Sequence, residues 1–597
     1  MKRLITNVLV FSIVLIFIGS CSENFLQPEP KSFFAPENVF LDRSGLEATL
    51  VTMKKNLLSE HAGQKDNISH QFHASETGSP LLQMDFTNLT PSTDRYQQFV
   101  NQLNNMFNYV KDANTVITRI DDIEWEDEQS RNKALAEALW HRSYWYYRMV
   151  HNYGDLPFVS EEVRGATLDY NTHSRWAILD RIQADMEFAI EYLSEAKGPH
   201  KITLGAGNHL LTKIYLANME WDLAIEAATR VINGPYSLMT ERFGEDADDP
   251  KRNLLWDLHR PYNKNISANT ETILATVDRF EAPEEARTAG SYSMRIYTAS
   301  WWHSNNRDSE GNVAFVRGGA MHDTLGNGNP DHAASDWHMY DIWEEDGYHW
   351  SNTPDLRRAD INWIDKHEIT INNPDSPDFG DPMKGEWMAN PSDSVYTLFA
   401  WPFYKVYSPE QNPASLPNGG HADWYIYRLA ETYLLRAEAY YWKGNIQAAA
   451  DDINMIRERA NAPLISAGDV DIDYIFDERA RELYAEEPRQ NELNRVSHIM
   501  AAQGMNGYSP DNLHENNWFY DRVYNLNNLY HISPAPVVLG EAPNIEPRHF
   551  QWPIDDGIIN SNVFGTVNQN RGYAGAQNNE PPIEEIPEPG YQTGLAN

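Results

Sequence analysis

The thiol of Cys21 is the only one among 597 residues, and its position says which chemistry it can undergo. Lys2 and Arg3 supply a positive start, Leu4 to Ile18 an apolar stretch, and Gly19-Ser20 two small residues just before the cysteine. That is the layout of a secretory signal with cysteine at the cleavage boundary. It resembles a bacterial lipobox, in which the peptide is cut before Cys21 and its thiol and new amino group are acylated. The apolar run, about fifteen residues, is short for a transmembrane helix, which needs roughly twenty. Acyl chains contribute about 0.8 kcal/mol per buried CH₂, and two or more make an anchor stable. The expectation is a mature protein tied to a membrane surface by lipid.

Other reactive constellations are weak. His332, His338 and His349 with Asp341, Glu344, Glu345 and Asp346 are the best metal candidates, since carboxylates could hold calcium. Their spacing matches neither an EF-hand nor His-Glu-x-x-His, so a solvated acidic loop is the reading and no metal or other cofactor is expected. No Gly-x-Ser-x-Gly elbow, phosphate-binding loop or dinucleotide fingerprint is present. Glu431, Glu438 and Glu482 could be read as catalytic carboxylates, but each sits where helical periodicity already explains it, among acids and arginines spaced three and four apart.

Composition narrows the class further. The net charge of −38 disfavours nucleic acid and anionic lipid as partners. Removing residues 1–20 deletes Lys2 and Arg3 and no acid, so the mature chain is more negative still. With no second cysteine there is no internal disulfide, and a chain of this length can bury enough apolar surface without one.

The elements that must position any site fall into two kinds. From about 40 to 235 the pattern is helical: Leu46, Leu50 and Met53; Phe107, Val110, Ala113, Ile117 and Ile120; Leu135, Ala138, Leu139, Tyr146 and Met149. Gly154 and Pro157 end the third of these helices, and Trp176 to Leu193 forms another. Leu210 to Ala224 compares with Leu435 to Ala449: in each, a helix bearing small and aromatic residues meets a turn and an Ala-rich helix follows, the unit of a tetratricopeptide repeat. Between about 240 and 422 the chain is instead rich in Asp, Asn, Gly, Pro and aromatics, with short β-like runs at Thr272 to Val277 and Val395 to Phe399. The fold class expected is mainly α, a helical scaffold with TPR-like pairs and a long irregular, aromatic-rich insertion. A single domain, 39–579, is expected, with scaffold at 39–240 and 423–500, insertion at 241–422 and an irregular part at 501–579. A lipidated tether (21–38) precedes it and a Pro/Glu-rich tail (580–597), not expected to pack as a regular element, follows.

Several motifs, in order, resemble the SusD/RagB family of outer-membrane lipoproteins from glycan-uptake systems of Bacteroidota. Ala134 to Phe158 (ALAEALWHRSYWYYRMVHNYGDLPF) is similar to the family's EA-x-x-x-RA helix closed by an FGD-x-P turn. Arg428 to Ala439 looks like RLAE-x-YL-x-x-AEA, and Ile453 to Ala460 like the element that follows it. Ile475 to Arg495 is similar to I-x-x-ER-x-EL-x-x-EG-x-R-x-x-DL-x-R, with Glu487-Pro488 in place of Glu-Gly. Trp552 to Asp555 and Gln569 to Tyr573 resemble the terminal PIP and QNPGY pieces, Arg571 replacing Pro.

The resemblance implies a non-enzymatic, cell-surface glycan-binding lipoprotein of the outer membrane. It would deliver oligo- or polysaccharide to a SusC-like TonB-dependent transporter, closing over it as a lid. A peptide-binding member of the same family and a surface glycoside hydrolase are the alternatives. Pyranose rings present apolar faces to aromatic rings, while their hydroxyls need amides, carboxylates and guanidinium groups. Two segments qualify as ligand-binding: the polar loop with Asp85, Arg95 and Tyr96, and the insertion with Trp301, Trp302, Trp337, Trp343, Tyr348 and Trp350. Of these, Trp301 or Trp302 with Asp85 and Arg95 are favoured, because two adjacent tryptophans on a strand cannot both point into one core.

Overall fold

A computed structural model describes residues 42–587, apart from 64–66, 81–88, 93–97, 200, 331, 391–393 and 532–543. Cys21, the signal and tether, Asp85, Arg95, Tyr96 and the last part of the tail lie outside the described residues.

Helices dominate the described chain ahead of the insertion and, beyond it, as far as Ala502. α1 (Arg43–Asn56) starts where Asp42 accepts the Ser44 and Gly45 N–H groups. α2 is Gln98–Arg119 and α3 Glu128–Tyr153. Asp127 caps α3 through the Ser130 N–H, and Gly154, at φ 70°, stops it in a conformation that costs little without a Cβ. α4 (Arg175–Ala189), α5 (Leu204–Ala217) and α6 (Trp221–Ile232) follow, the first two capped by Ser174 and Thr203. Beyond the insertion come α7 (Leu429–Lys443), α8 (Ile446–Arg459), α9 (Ile472–Leu483) and α10 (Arg489–Ala502). The two segments that resemble one another in sequence are thus hairpins, α5–α6 and α7–α8. They meet in space: Trp221 at the start of α6 stacks on Trp442 near the end of α7, ring centroids 5.8 Å apart. The small residues Ala224 and Ala449 are fully buried.

α3 is buried on every side from Ala138 through Tyr153, as a central helix must be. Its charges therefore need partners. Arg142 pairs with Asp185 of α4, and Arg148 with Glu60 and Asn491. The same logic governs α9 and α10. Glu482 accepts from Arg357, Arg428 and Arg459, and Glu478 from Arg357, Arg457 and Arg481. Buried ions survive only when paired and hydrogen-bonded in this way. Glu431 pairs with Lys213 at 2.5 Å and Glu438 with Arg495 at 2.6 Å. Burial alone would raise the Glu431 carboxyl, but Lys213, His209 and Arg479 hold it down to about 2. These carboxylates are cation-paired struts of the scaffold.

Two antiparallel strand pairs attach the insertion. Thr272–Ala275 pairs with Tyr425–Arg428, closing its base, and Gly78–Pro80 pairs with His332–Ala334. At Gly78 a Cβ would lie 2.3 Å from the Ala333 carbonyl, so the close approach requires glycine. The run Val395 to Phe399 is not a strand. Ser394–Thr397 is a helical turn that carries Leu398 and Phe399 into a buried cluster, and packing outweighs so brief an alternation.

The described chain holds a main core among the helices, a second inside the insertion and a smaller third around Trp256 and Phe403. The second is built from Trp301, Trp337, Trp343, Trp363, Phe399 and Trp401, and reaches Tyr484 at the end of α9. An irregular segment has no apolar stripe, so a few large rings supply its buried area. The start of the Pro/Glu-rich tail is also docked: Ile583 exchanges hydrogen bonds with Thr172 and Ser174.

Candidate functional site

The aromatic residues singled out in the insertion divide by burial. Trp301 is fully buried, donates its indole N–H to the Gly326 carbonyl at 2.8 Å and meets Phe315 edge-on. Trp337 lies beneath the Arg522 guanidinium, and Trp343 donates to the His338 carbonyl. These three are core, which corrects their assignment as ligand-facing platforms. A ring with no exposed face cannot stack on a sugar. Trp302 is half-buried, as is Trp350, which packs on Tyr340 and over the Arg358 guanidinium. Tyr348 is exposed.

The metal candidates are scattered. His332 and His338 are buried beside the Tyr484 ring, and burial pushes His332 down to about 3 and His338 well below its usual value. Glu345 accepts from Arg457, Arg481 and Tyr474, while exposed His349 pairs with Glu344. Among the described residues no cluster of three His, Cys, Asp or Glu side chains is arranged to hold a metal ion.

Around Trp302 the surface is organised differently. The Arg317 guanidinium lies over its ring, 3.9 Å from the centroid. Arg317 Nη2 donates to Asn327 Oδ1, and Asn327 Nδ2 donates to Asn418 Oδ1 at 2.8 Å. Asn418 lines a hollow of about 250 Å³ with Tyr292, Phe280, Arg287, Thr288 and Asn412. A continuous polar line thus joins Trp302 to a pocket bearing two aromatic rings, a guanidinium and two side-chain amides.

Tight turns hold that line. Tyr292 sits at φ 56° and donates its N–H to the Gly419 carbonyl, while Gly290 and Gly419 have φ 102° and 113°. Ser291 N–H donates to the Gly420 carbonyl, and Thr288 and His421 both bond the Asp278 carboxylate. Backbone fixed in this way keeps the side chains pre-positioned, as a binding site on irregular chain requires.

Tyr292, Arg317, Asn327 and Asn418 were not among the residues singled out from the sequence. The signal available was turn chemistry: Gly290, Gly318-Gly319 and Asn418-Gly419-Gly420 mark where the backbone bends toward one place. A second hollow, of about 290 Å³, lies between α2 and the C-terminal part. Its walls are largely apolar, with Phe107, Val110, Val159, Ile558 and Val567, and carry Asn104, Asn108, Lys111 and Asn562 among them.

Two family models match the chain. "SusD family" covers residues 270–573, and "Starch-binding associating with outer membrane" covers residues 24–216. The chain belongs to the SusD family. Among curated relatives, SusD-like protein P38 of Formosa agariphila is 23% identical over 550 residues, covering 87% of this chain and 97% of the relative. SusD-like proteins P25 and P2 of the same organism match over 47% and 58% of their own length. A 92-residue stretch is 38% identical to the starch-binding protein SusD of Bacteroides thetaiotaomicron, covering 15% of this chain and 16% of that protein.

Solved structures show the same fold. A laminarin-binding SusD-like protein superposes with a TM-score of 0.58 at 16% identity, over 89% of this chain and all of the other. Surface glycan-binding protein A of Bacteroides fluxus gives 0.60 at 17%, over 89% of this chain and 99% of the other. Among the described residues no helix is long and apolar enough to cross a membrane.

Proposed function

We propose that this SusD-family protein captures a glycan at the cell surface. The observation that carries the reading is the polar line from Trp302 through Arg317, Asn327 and Asn418 to the Tyr292 hollow. The exposed part of the indole and the Tyr292 ring suit the apolar faces of pyranose residues. Amides and guanidinium groups between them suit the hydroxyl rims. Asp85, Arg95 and Tyr96 add further polar and aromatic contacts in this proposal, and Tyr348 and Trp350 form a second aromatic edge.

Acylation of Cys21 anchors the protein to the outer membrane, exposed at the cell surface, and a SusC-like TonB-dependent transporter receives the glycan, with this protein as its lid. Catalysis plays no part in this reading. The scaffold carboxylates that could have served it, Glu431, Glu438 and Glu482, are buried and neutralised by cations.

Affinity electrophoresis of residues 22–597 against a polysaccharide panel tests the proposal. Retardation by one glycan is expected, reduced at least tenfold by Trp302→Ala and by Tyr292→Ala. Wild-type retardation that neither substitution changes would remove the site from the proposal. Binding to peptides alone would replace glycan with peptide as the cargo.

A further inference from the structure

A cleft of about 570 Å³ lies away from the insertion, between the N-terminus of α4 and the C-terminal segments. Its walls include Gln551, Asn568, Asn570 and Asn579, with Arg175 and Trp176 beside them. Most of the amides are already committed. Asn568 bonds the Glu580 backbone both ways, Asn579 does the same with Gln569, and Asn570 donates to the Tyr153 and Trp552 carbonyls. They make a fixed wall.

Arg175 is different. Only 3% of it is exposed. Its Nη2 donates to His151 Nε2 at 3.2 Å, while Nε and Nη1 have no hydrogen-bond partner among the described residues. His151 brings no compensating charge: its Nδ1–H donates to the Tyr147 carbonyl, so the ring accepts from Arg175 in its neutral form. Asp155 uses a carboxylate oxygen on the Arg175 backbone N–H at 2.8 Å. Arg142, Arg148 and Arg495, also buried, each sit directly on a carboxylate, whereas Arg260, like Arg175, bonds none. Burial pulls the Arg175 guanidinium down to about 10. The Asp155 carboxylate, also in the cleft wall, acts on Arg175 through space without bonding its guanidinium. A buried cation with no carboxylate bonded to it is costly to keep, and a forked guanidinium with free N–H groups matches a carboxylate in shape as well as charge.

We propose that the Arg175 cleft binds the carboxylate of an acidic saccharide residue, a uronic acid. The proposal rests on the glycan-binding reading for its sugar component. The half-buried Trp176 ring, 4.4 Å from the Arg175 guanidinium, provides an apolar face beside the anion subsite. Exposed Glu580 and Glu584 on the rim favour a single carboxylate over a polyanion.

The test is calorimetric titration of the full mature protein in detergent with glucuronate, glucose and acetate at constant ionic strength. Glucuronate is expected to bind and glucose not to. Arg175→Gln should weaken glucuronate about ten- to a hundredfold, the range for a lost charge-assisted hydrogen bond. Trp176→Ala should weaken glucuronate while leaving acetate unchanged, and carries the test should Arg175→Gln fail to fold. No carboxylate binding by wild type, or binding that survives Arg175→Gln in a folded protein, overturns the proposal. Acetate bound as tightly as glucuronate overturns its saccharide part. Glucuronate binding lost in Trp302→Ala instead would assign it to the insertion site. A neutral glycan held at Trp302 without any glucuronate binding would sink this proposal and leave the glycan-binding reading intact.

Discussion

Trp302 and Arg317 lie face to face, with 3.9 Å between guanidinium carbon and ring centroid, while the preceding Trp301 is fully buried and donates to the Gly326 carbonyl. One residue along the chain separates a surface ring held by a cation from a core ring held by a carbonyl. Substitutions at the two positions should therefore act on different properties.

Trp301→Ala empties a large buried site and should cost about 3–5 kcal/mol of stability. Trp302→Ala removes a half-buried ring and should cost less than about 2 kcal/mol, its main effect being on ligand binding. Denaturant unfolding of both variants checks this. Equal losses of stability would remove the distinction.

Glu482 is shared by Arg357, Arg428 and Arg459. Glu482→Ala removes the carboxylate that three buried guanidinium groups share, leaving Asp355 and Glu478 to Arg357, Glu271 and Glu486 to Arg428 and Glu271 to Arg459. It should destabilise by about 3 kcal/mol, the lower end of the range for breaking a buried pair. Chemical denaturation read by far-ultraviolet circular dichroism is the measurement. A change below about 1 kcal/mol would contradict a strut role.

Acid should weaken the fold in two stages. Burial holds His61, His141 and His332 down to about 3 in the folded protein, below the unfolded value of about 6.5. As pH falls below about 6.5 the unfolded chain takes up these protons first, so stability falls, by up to ~1.4 kcal/mol per pH unit for each histidine. Glu76, Glu431 and Glu478 are held down to about 2 by cations that outweigh burial, so their contribution is lost only as pH drops from about 4.5 toward 2. His141, whose two ring nitrogens have no hydrogen-bond partner among the described residues, isolates the first stage. His141→Leu should flatten the slope between pH 4 and 6.5, measured by urea unfolding at each pH. An unchanged slope would show that His141 does not titrate as expected.

Cys21→Ser should block acylation and release the protein from the membrane fraction into a soluble one, without changing its far-ultraviolet spectrum. Fractionation with metabolic labelling by a fatty acid is the check. Retention of label and membrane association would show that the anchor lies elsewhere.

Much of the scaffold was legible from the chain alone, because helix periodicity and caps are local. The apolar spacing of α2 and α3, the stop at Gly154 and Pro157 and the two similar hairpins can all be read within a few turns of sequence. The ordered motifs pointed to the family that the comparisons show. That Glu431, Glu438 and Glu482 belong to the scaffold was readable from their helical setting, but their partners, Lys213 for the first, Arg495 for the second and Arg357, Arg428 and Arg459 for the third, come from other elements.

The site was decided by long-range packing. Trp301, Trp302, Trp337 and Trp343 are the same residue type in one irregular segment, and no local period says which faces water. Only closure of the second core, with Gly326, Phe315, His338 and Arg522 brought in from elsewhere, sorts them. The line from Arg317 through Asn327 to Asn418 joins residues up to a hundred positions apart, and each is an ordinary polar loop residue until the turns at Gly290 and Gly419 bring them together. Arg175 likewise reads as a routine first-turn residue of a helix. That no carboxylate bonds its guanidinium depends on how α3 and the C-terminal segments pack around it, and so belongs to the tertiary structure alone.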